Sequence, residues 1–403
     1  MNPSQPSFSN PYKPGAGHMP PYLAGRQRET DEFLKLILQA IILENMVLTG
    51  LRGVGKTVLL DTFKPLAMHS NWLWVGTDLS ESVSVSEENL AIRLLTDLSV
   101  VTSNVLISQE RISTIGFINT EEVVEKKLGF NFLISLYKHT PGLVMDKLKY
   151  ALEFVWDCLK SQKIKGLIFA YDEAQNLSDQ AAKEQYPLGI LLATFQSIQK
   201  KDIPFMLLLT GLPTLFPKLV ESRTFAERMF RVVFLKRLSE KDSREAILNP
   251  IENKKSPVTF TEESVNLIVE HSGGYPYFIQ FICKEAYDAF LPKLAAGENA
   301  SVPLIEITRK LDTDFFAGRW ARATDRQREL LIIIAQLENS EEEFTVQDIV
   351  ELSKKKMDNP FSPSLANQML SSLSVHGLIY KNRFGKYSFA VPLLGQFILR
   401  QKM

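Results

Sequence analysis

Cysteine is nearly absent from the 403-residue sequence: Cys158 and Cys283 stand far apart, with no Cys or His at metal-ligand spacing. That argues against a disulfide framework and a structural zinc site, and it fits a reducing compartment. Net charge is absent too. The 46 Lys+Arg are balanced by 46 Asp+Glu, so no global field draws the chain to nucleic acid or anionic lipid, and such contact must come from a local patch. No apolar run approaches the ~20 residues that span a bilayer. The longest, 205–209 and 330–335, have the length of buried strands or core turns. The start, Met-Asn-Pro-Ser-Gln-Pro, is neither basic nor apolar and does not read as a secretory signal, so the cytoplasm is the expected compartment. Hydrophobic residues at 45% and charged residues at 23% are ordinary globular values, and the length allows two or three domains.

Six prolines within residues 1–21, together with Gly15 and Gly17, rule out a helix or central strand there. The segment is expected to be an extended arm, laid on the surface or disordered. Residues 29–43 carry apolar positions at helical spacing, with Thr30 or Asp31 able to cap the start. Four apolar runs (46–49, 72–76, 167–171 and 205–210) then alternate with helical patterns, which predicts a parallel sheet, and 232–235 completes it. The gap 77–166 is too long for one crossover. It holds helices at 87–98 and 143–159, a β-rich piece at 105–119 and a charged-then-apolar piece at 121–137, so about 102–141 reads as an insertion. Beyond 238 the pattern turns helical (239–248, 261–271, 275–290), broken by Asn249-Pro250 and Gly273-Gly274. After 325, helices at 325–337, 345–352 and 364–376 precede strands at 378–381 and 386–390, an order that resembles a winged helix-turn-helix. The predicted organisation is α/β: an arm (1–21), an αβ core (22–236), a helical unit (237–320) and a winged helix (321–403).

The strongest chemical signal is Gly50-Leu51-Arg52-Gly53-Val54-Gly55-Lys56-Thr57, which fits G-x4-G-K-[ST], with Val58 opening a buried helix. Glycines let the backbone wrap a phosphate with its N–H groups inward, and the helix N-terminus adds a favourable dipole. Lys56 is expected to neutralise the β- and γ-phosphates of a nucleotide, and the Thr57 hydroxyl to take one Mg²⁺ position. A second signal is Leu167-Ile168-Phe169-Ala170-Tyr171-Asp172-Glu173, which delivers two acids to the C-terminal end of a strand, where such sheets bind ligands. Asp172 is expected on Mg²⁺ and Glu173 on the attacking water. Thr210, at the end of the next apolar run, is placed to bond the γ-phosphate or that water, or simply to cap the turn. Arg223, Arg228 and Arg231 offer guanidinium groups suited to phosphate charge, and a solvated helix face explains them equally well.

In this order the motifs resemble the AAA+/STAND class of P-loop ATPases, near origin-recognition-type initiators and prokaryotic STAND ATPases. The resemblance spans about residues 22–290. It implies a P-loop core, a helical lid over 237–320, and ATP or ADP with Mg²⁺ as ligands. Leu23-Ala24-Gly25-Arg26-Gln27-Arg28-Glu29 is similar to the box that lines the adenine pocket, which would put Gly25 and Arg26 on the nucleotide. Gly273-Gly274-Tyr275-Pro276 is similar to the lid turn that abuts it, and Arg228 matches the box arginine that can reach a neighbour's nucleotide in a homo-oligomer. One departure stands out: residues 271–285 lack the arginine that many members carry at the start of a lid helix.

The partner stays open at this level. Residues 325–403 hold ten cations and nine acids, and 364–376 has no Lys or Arg, so base reading would rest on Ser364, Asn367, Gln368 and Ser371. Lys381, Arg383 and Lys386 of the wing could meet phosphates of duplex DNA, and Lys354–Lys356 form another cluster. Protein docking by this unit, or by apolar elements of the 102–141 insertion, is the alternative. The expected function is an ATP-hydrolysing switch that moves the C-terminal unit, with a protein-directed signalling switch and a non-hydrolysing nucleotide scaffold as alternatives.

Overall fold

The computed structural model describes residues 9–113, 121–253, 256–298, 301–382 and 385–401. Within them the apolar runs become strands and the helical patterns become their crossovers. The core runs α1 (Gln27–Ile37), β1 (Asn45–Gly50), α2 (Lys56–His69), β2 (Trp72–Val75) and α3 (Glu87–Thr102). An antiparallel pair, β3 (Leu106–Ser113) and β4 (Glu121–Lys127), precedes α4 (Phe130–His139) and α5 (Val144–Leu159). Then come β5 (Gly166–Tyr171), α6 (Pro187–Gln199), β6 (Phe205–Gly211), α7 (Leu215–Ser222), α8 (Ala226–Met229) and β7 (Phe230–Leu235).

The main sheet has the order β2-β5-β6-β1-β7, and every pair in it is parallel. A parallel sheet needs both faces covered, and β1, β5 and β6 are buried at every position. On one face Met46, Leu48, Ile168 and Met206 pack with α1 and α2, where the Phe33 and Phe63 rings stack at 4.2 Å. On the other, Phe169 and Phe205 pack with α3, α5 and α6. β6 enters between β1 and β5, so one strand separates the end of the phosphate loop's strand from the end of the acidic strand.

α1 stops at Ile37 rather than at residue 43. The Gln39 side chain donates to the Leu36 carbonyl and accepts from the Leu43 and Glu44 N–H groups, taking over bonds a longer helix would have made. Its N-cap is Arg26, not Thr30 or Asp31. The expected insertion also shrinks. Leu133 and Tyr137 of α4 are fully buried beside α3 and α5, with the Tyr137 hydroxyl 2.6 Å from Glu88, so α4 belongs to the helical layer and only β3–β4 form a separate sheet.

Beyond the sheet lie α9 (Glu240–Asn253), α10 (Glu262–Ser272), α11 (Pro276–Ala295), α12 (Leu304–Leu311), a π-helical turn at Asp312–Ala317 and α13 (Gly318–Trp320). They are followed by α14 (Asp325–Ala335), α15 (Val346–Lys356), α16 (Pro363–Val375), β8 (Ile379–Lys381), β9 (Tyr387–Phe389) and α17 (Leu394–Arg400). Thr261, Thr324, Thr345 and Ser362 each cap the helix that follows with a side-chain oxygen. The helical unit and the C-terminal unit share one apolar core, which joins Phe278 and Tyr287 to Leu330, Leu370 and Phe397. The arm joins it too: Tyr12 is buried, and its hydroxyl donates to the Ile247 carbonyl. Residues 1–8 lie outside the described residues.

Candidate functional site

β1 ends at Gly50, and the chain turns through Gly53 and Gly55 at φ +77° and +90°, left-handed geometry that glycine alone adopts cheaply. α2 then starts at Lys56, with Gly55 as its N-cap and no side-chain cap. The N–H groups of the first turn are therefore left facing the loop. Lys56 is 8% exposed, and its ammonium donates to the Gly50 and Leu51 carbonyls, each at 3.0 Å. Burial pushes this amine down to about 8, against the pull of the Glu173 and Asp172 carboxylates.

β5 delivers Asp172, 3% exposed, beneath that loop. Its carboxylate accepts from the Thr57 hydroxyl at 2.5 Å, from the Glu173 N–H at 2.8 Å and from the Thr210 hydroxyl on β6. Thr210, expected to meet a γ-phosphate or water or to cap the turn, is fully buried here and its hydroxyl donates to Asp172. Glu173 sits at φ +49°, a left-handed conformation that costs a non-glycine residue ~1–2 kcal/mol. That strain turns its side chain into the cavity above. Gln175, which the sequence reading passed over, donates to the Glu173 carboxylate, and its carbonyl oxygen Oε1 accepts from the Leu212 N–H at 3.0 Å. Its only sequence signal is a spacing of two from the acid.

The cavity has a volume of about 300 Å³, at the lower end of the small-molecule range. Arg52, Gly53, Val54, Gly55, Lys56, Thr57, Val58, Glu173, Arg26 and Pro276 all line it. Gly50 and Leu51 do not; they hold Lys56 with their carbonyls. Arg26 is buried and donates to the Val54 and Lys236 carbonyls, each at 2.9 Å, so it braces the loop against the end of β7 rather than reaching for a base. Gly25 does not line the cavity; it sits at φ +61°, with Asp242 where a side chain would begin. Pro276 opens α11, and the next N–H, of Tyr277, donates to the Gly53 carbonyl at 3.1 Å, tying the helical lid to the phosphate loop.

Arg228 is exposed in α8 and does not line the cavity, so it has no place at this chain's own site. Arg231 is held by Glu32 and Glu44 at 2.5 and 2.7 Å, and Arg223 lies against Gly189 of α6. Two other walls carry no local sequence signal: arm residues Lys13 to His18, and Phe315 with Arg319 from the end of the helical unit. In the expected wing, Lys386 pairs with Glu343 at 3.6 Å and Lys381 lies over the Tyr387 ring at 5.6 Å, while Arg383 falls outside the described residues. Among the described residues no helix is long and apolar enough to cross a membrane.

Residues 313–398 match a family model described as a domain of unknown function, DUF8462. Over 374 residues, 90% of this chain and 85% of the relative, the chain is 25% identical to an uncharacterised HTH-type transcriptional regulator of Methanocaldococcus jannaschii. Its structure is similar to a Walker-type ATPase of Pyrococcus abyssi, with 16% identity, TM-score 0.56 and coverage of 94% of this chain and 96% of the other. It is also similar to the ADP form of the Aeropyrum pernix ORC2 protein, with 14% identity, TM-score 0.52 and 96% and 97% coverage. The chain therefore shares the P-loop fold of those archaeal proteins.

Proposed function

We propose that this protein is an ATP-binding and ATP-hydrolysing molecular switch whose nucleotide state sets the position of the C-terminal unit. The observation that carries the reading is the convergence at Asp172: one carboxylate holds Thr57 of the loop and Thr210 of β6, directly beneath Lys56 and Glu173. The loop N–H groups cradle the phosphates, and Lys56 exchanges the Gly50 and Leu51 carbonyls for phosphate oxygens. Thr57 and Asp172 present only hard oxygen donors, which suits Mg²⁺ with phosphate and water completing its shell. Mg²⁺ would supply charge neutralisation at the phosphates. Glu173, steadied by Gln175, orients and polarises the attacking water.

The C-terminal unit is read as a winged helix-turn-helix acting on DNA or on a protein. Its relative's name supports the former. The outer face of α16, formed by Ser364, Gln368, Ser371 and an 85% exposed Val375, carries no cation and favours a protein surface. The nucleotide reading is tested by calorimetric titration of ATP with Mg²⁺ into wild type and Lys56→Ala. Wild type binds and the variant loses all measurable heat; equal affinity in both would remove Lys56 from the site.

A further inference from the structure

The cavity lacks an arginine from the first turns of α11 but gains one from elsewhere. Arg319, in α13, lines the same space as Lys56, Thr57 and Glu173. Its guanidinium lies 4.3 Å from the centre of the Phe315 ring and donates back to the Phe315 carbonyl, and no carboxylate pairs with it among the described residues. Arg52 of the phosphate loop faces the same space, close enough to repel it. Lys13, Arg26, Arg52, Lys56 and Arg319 thus line a cavity whose one acid among the lining residues is Glu173. That imbalance calls for an anion.

The segment that carries Arg319 is also mechanically placed. It follows a π-helical turn, Asp312–Ala317, a geometry frequent at functional sites. Phe315 touches Tyr277 and Phe278 of the lid at 5.1 and 5.2 Å, while Phe316 and Trp320 meet Phe397 of α17 at 5.2 and 6.2 Å. Arg52 in turn extends to within 3.8 Å of where a side chain on Gly377, after α16, would begin.

We infer that Arg319 binds the terminal phosphate of the nucleotide within the same chain, making the end of the helical unit, which packs on α17, one wall of the nucleotide site and a reader of its state. A planar guanidinium matches two phosphate oxygens at once, so it exchanges the Phe315 carbonyl for them. The ring contacts then carry its displacement to α17. The inference rests on the nucleotide reading above and goes beyond it by naming a residue in α13, well past the lid turn at Pro276.

The test compares dissociation constants for ATPγS and ADP, by displacement of a fluorescent nucleotide, in wild type, Arg319→Ala, Arg319→Gln and Arg319→Lys. Hydrogen exchange with each nucleotide is measured in parallel. Arg319→Ala and Arg319→Gln should weaken ATPγS by ~10–100-fold, the size of a lost charge-assisted bond, and leave ADP within ~3-fold. Arg319→Lys should recover part of the loss. ATPγS-dependent protection of residues 313–320 and 394–400 should appear only in wild type and Arg319→Lys. Gln keeps a donor for Phe315, so a melting temperature near wild type with the same affinity loss separates phosphate binding from folding. An unchanged ratio of ATPγS to ADP affinity in both neutral variants overturns the assignment while leaving the nucleotide site standing. Absence of binding of either nucleotide to wild type would overturn the site itself.

Discussion

Asp172 is the residue on which the site's geometry turns. A buried carboxylate is tolerated only when its oxygens are occupied, and here two hydroxyls and one N–H occupy them before any nucleotide arrives. Lys56 is the counterpart with the opposite problem: an ammonium held in a dry place by two carbonyls. Its amine, brought down to about 8 by burial, is partly neutral above that pH in the nucleotide-free protein. Phosphate binding restores its charge. Calorimetry at pH 8.5 in buffers of different ionisation enthalpy should therefore show net proton uptake on ATP binding, and a heat independent of buffer would contradict this. The same shift has a sign for stability. Because the folded amine sits below its ordinary value, the charged form costs stability below about pH 8. That cost is lifted as pH rises from about 8 towards the unfolded value, because the unfolded chain then binds the extra proton.

At the scale of elements, the arm and the lid close over the phosphate loop. Tyr12 anchors the arm in the lid core, with ring centroids 6.3 Å from Phe260 and 6.4 Å from Tyr287, and the Lys13 N–H donates to Gln280 at 3.1 Å. Residues 13–18 then pass along the cavity beside Thr57. Truncating a buried aromatic costs ~3 kcal/mol or more, so Tyr12→Ala should lower the melting temperature and speed nucleotide release. Release measured by stopped-flow fluorescence at the wild-type rate, with an unchanged melting curve, would detach the arm from the site. This contact was not legible in the sequence, where a proline-rich stretch shows what it cannot form and not what it lies against. The strands and the loop were legible, because a parallel sheet buried on both faces writes continuous apolar runs and the phosphate turn demands glycines. Thr210 and Arg319 sit between those cases. Strand spacing placed Thr210 beside the acids but could not tell that its hydroxyl is spent on Asp172. Arg319 belongs to no local pattern and reaches the cavity only through packing of Phe315 and Phe316.

At the scale of the molecule, the lid and the C-terminal unit share one core, so a change at the nucleotide has a packed route to α16. What that helix meets is decided by charge. Of the described cations at β8 and β9, one is paired with Glu343 and the other lies over Tyr387, and the neutral face of α16 gives little to phosphates. Duplex DNA binding, titrated from 50 to 200 mM salt, should be weak and shallow in its salt dependence, reflecting ~1–3 phosphate contacts. A steep slope, corresponding to ~6 or more, would establish a DNA surface in place of a protein-facing one.

The most direct test of the central claim, that the loop and the acidic pair act on one bound triphosphate, is single-turnover hydrolysis by wild type and Glu173→Gln at saturating ATP. The account predicts that the variant binds ATP as tightly as wild type and hydrolyses it at least ~100-fold more slowly, because the water loses its base while the cradle is untouched. Equal rates in the two proteins would contradict it.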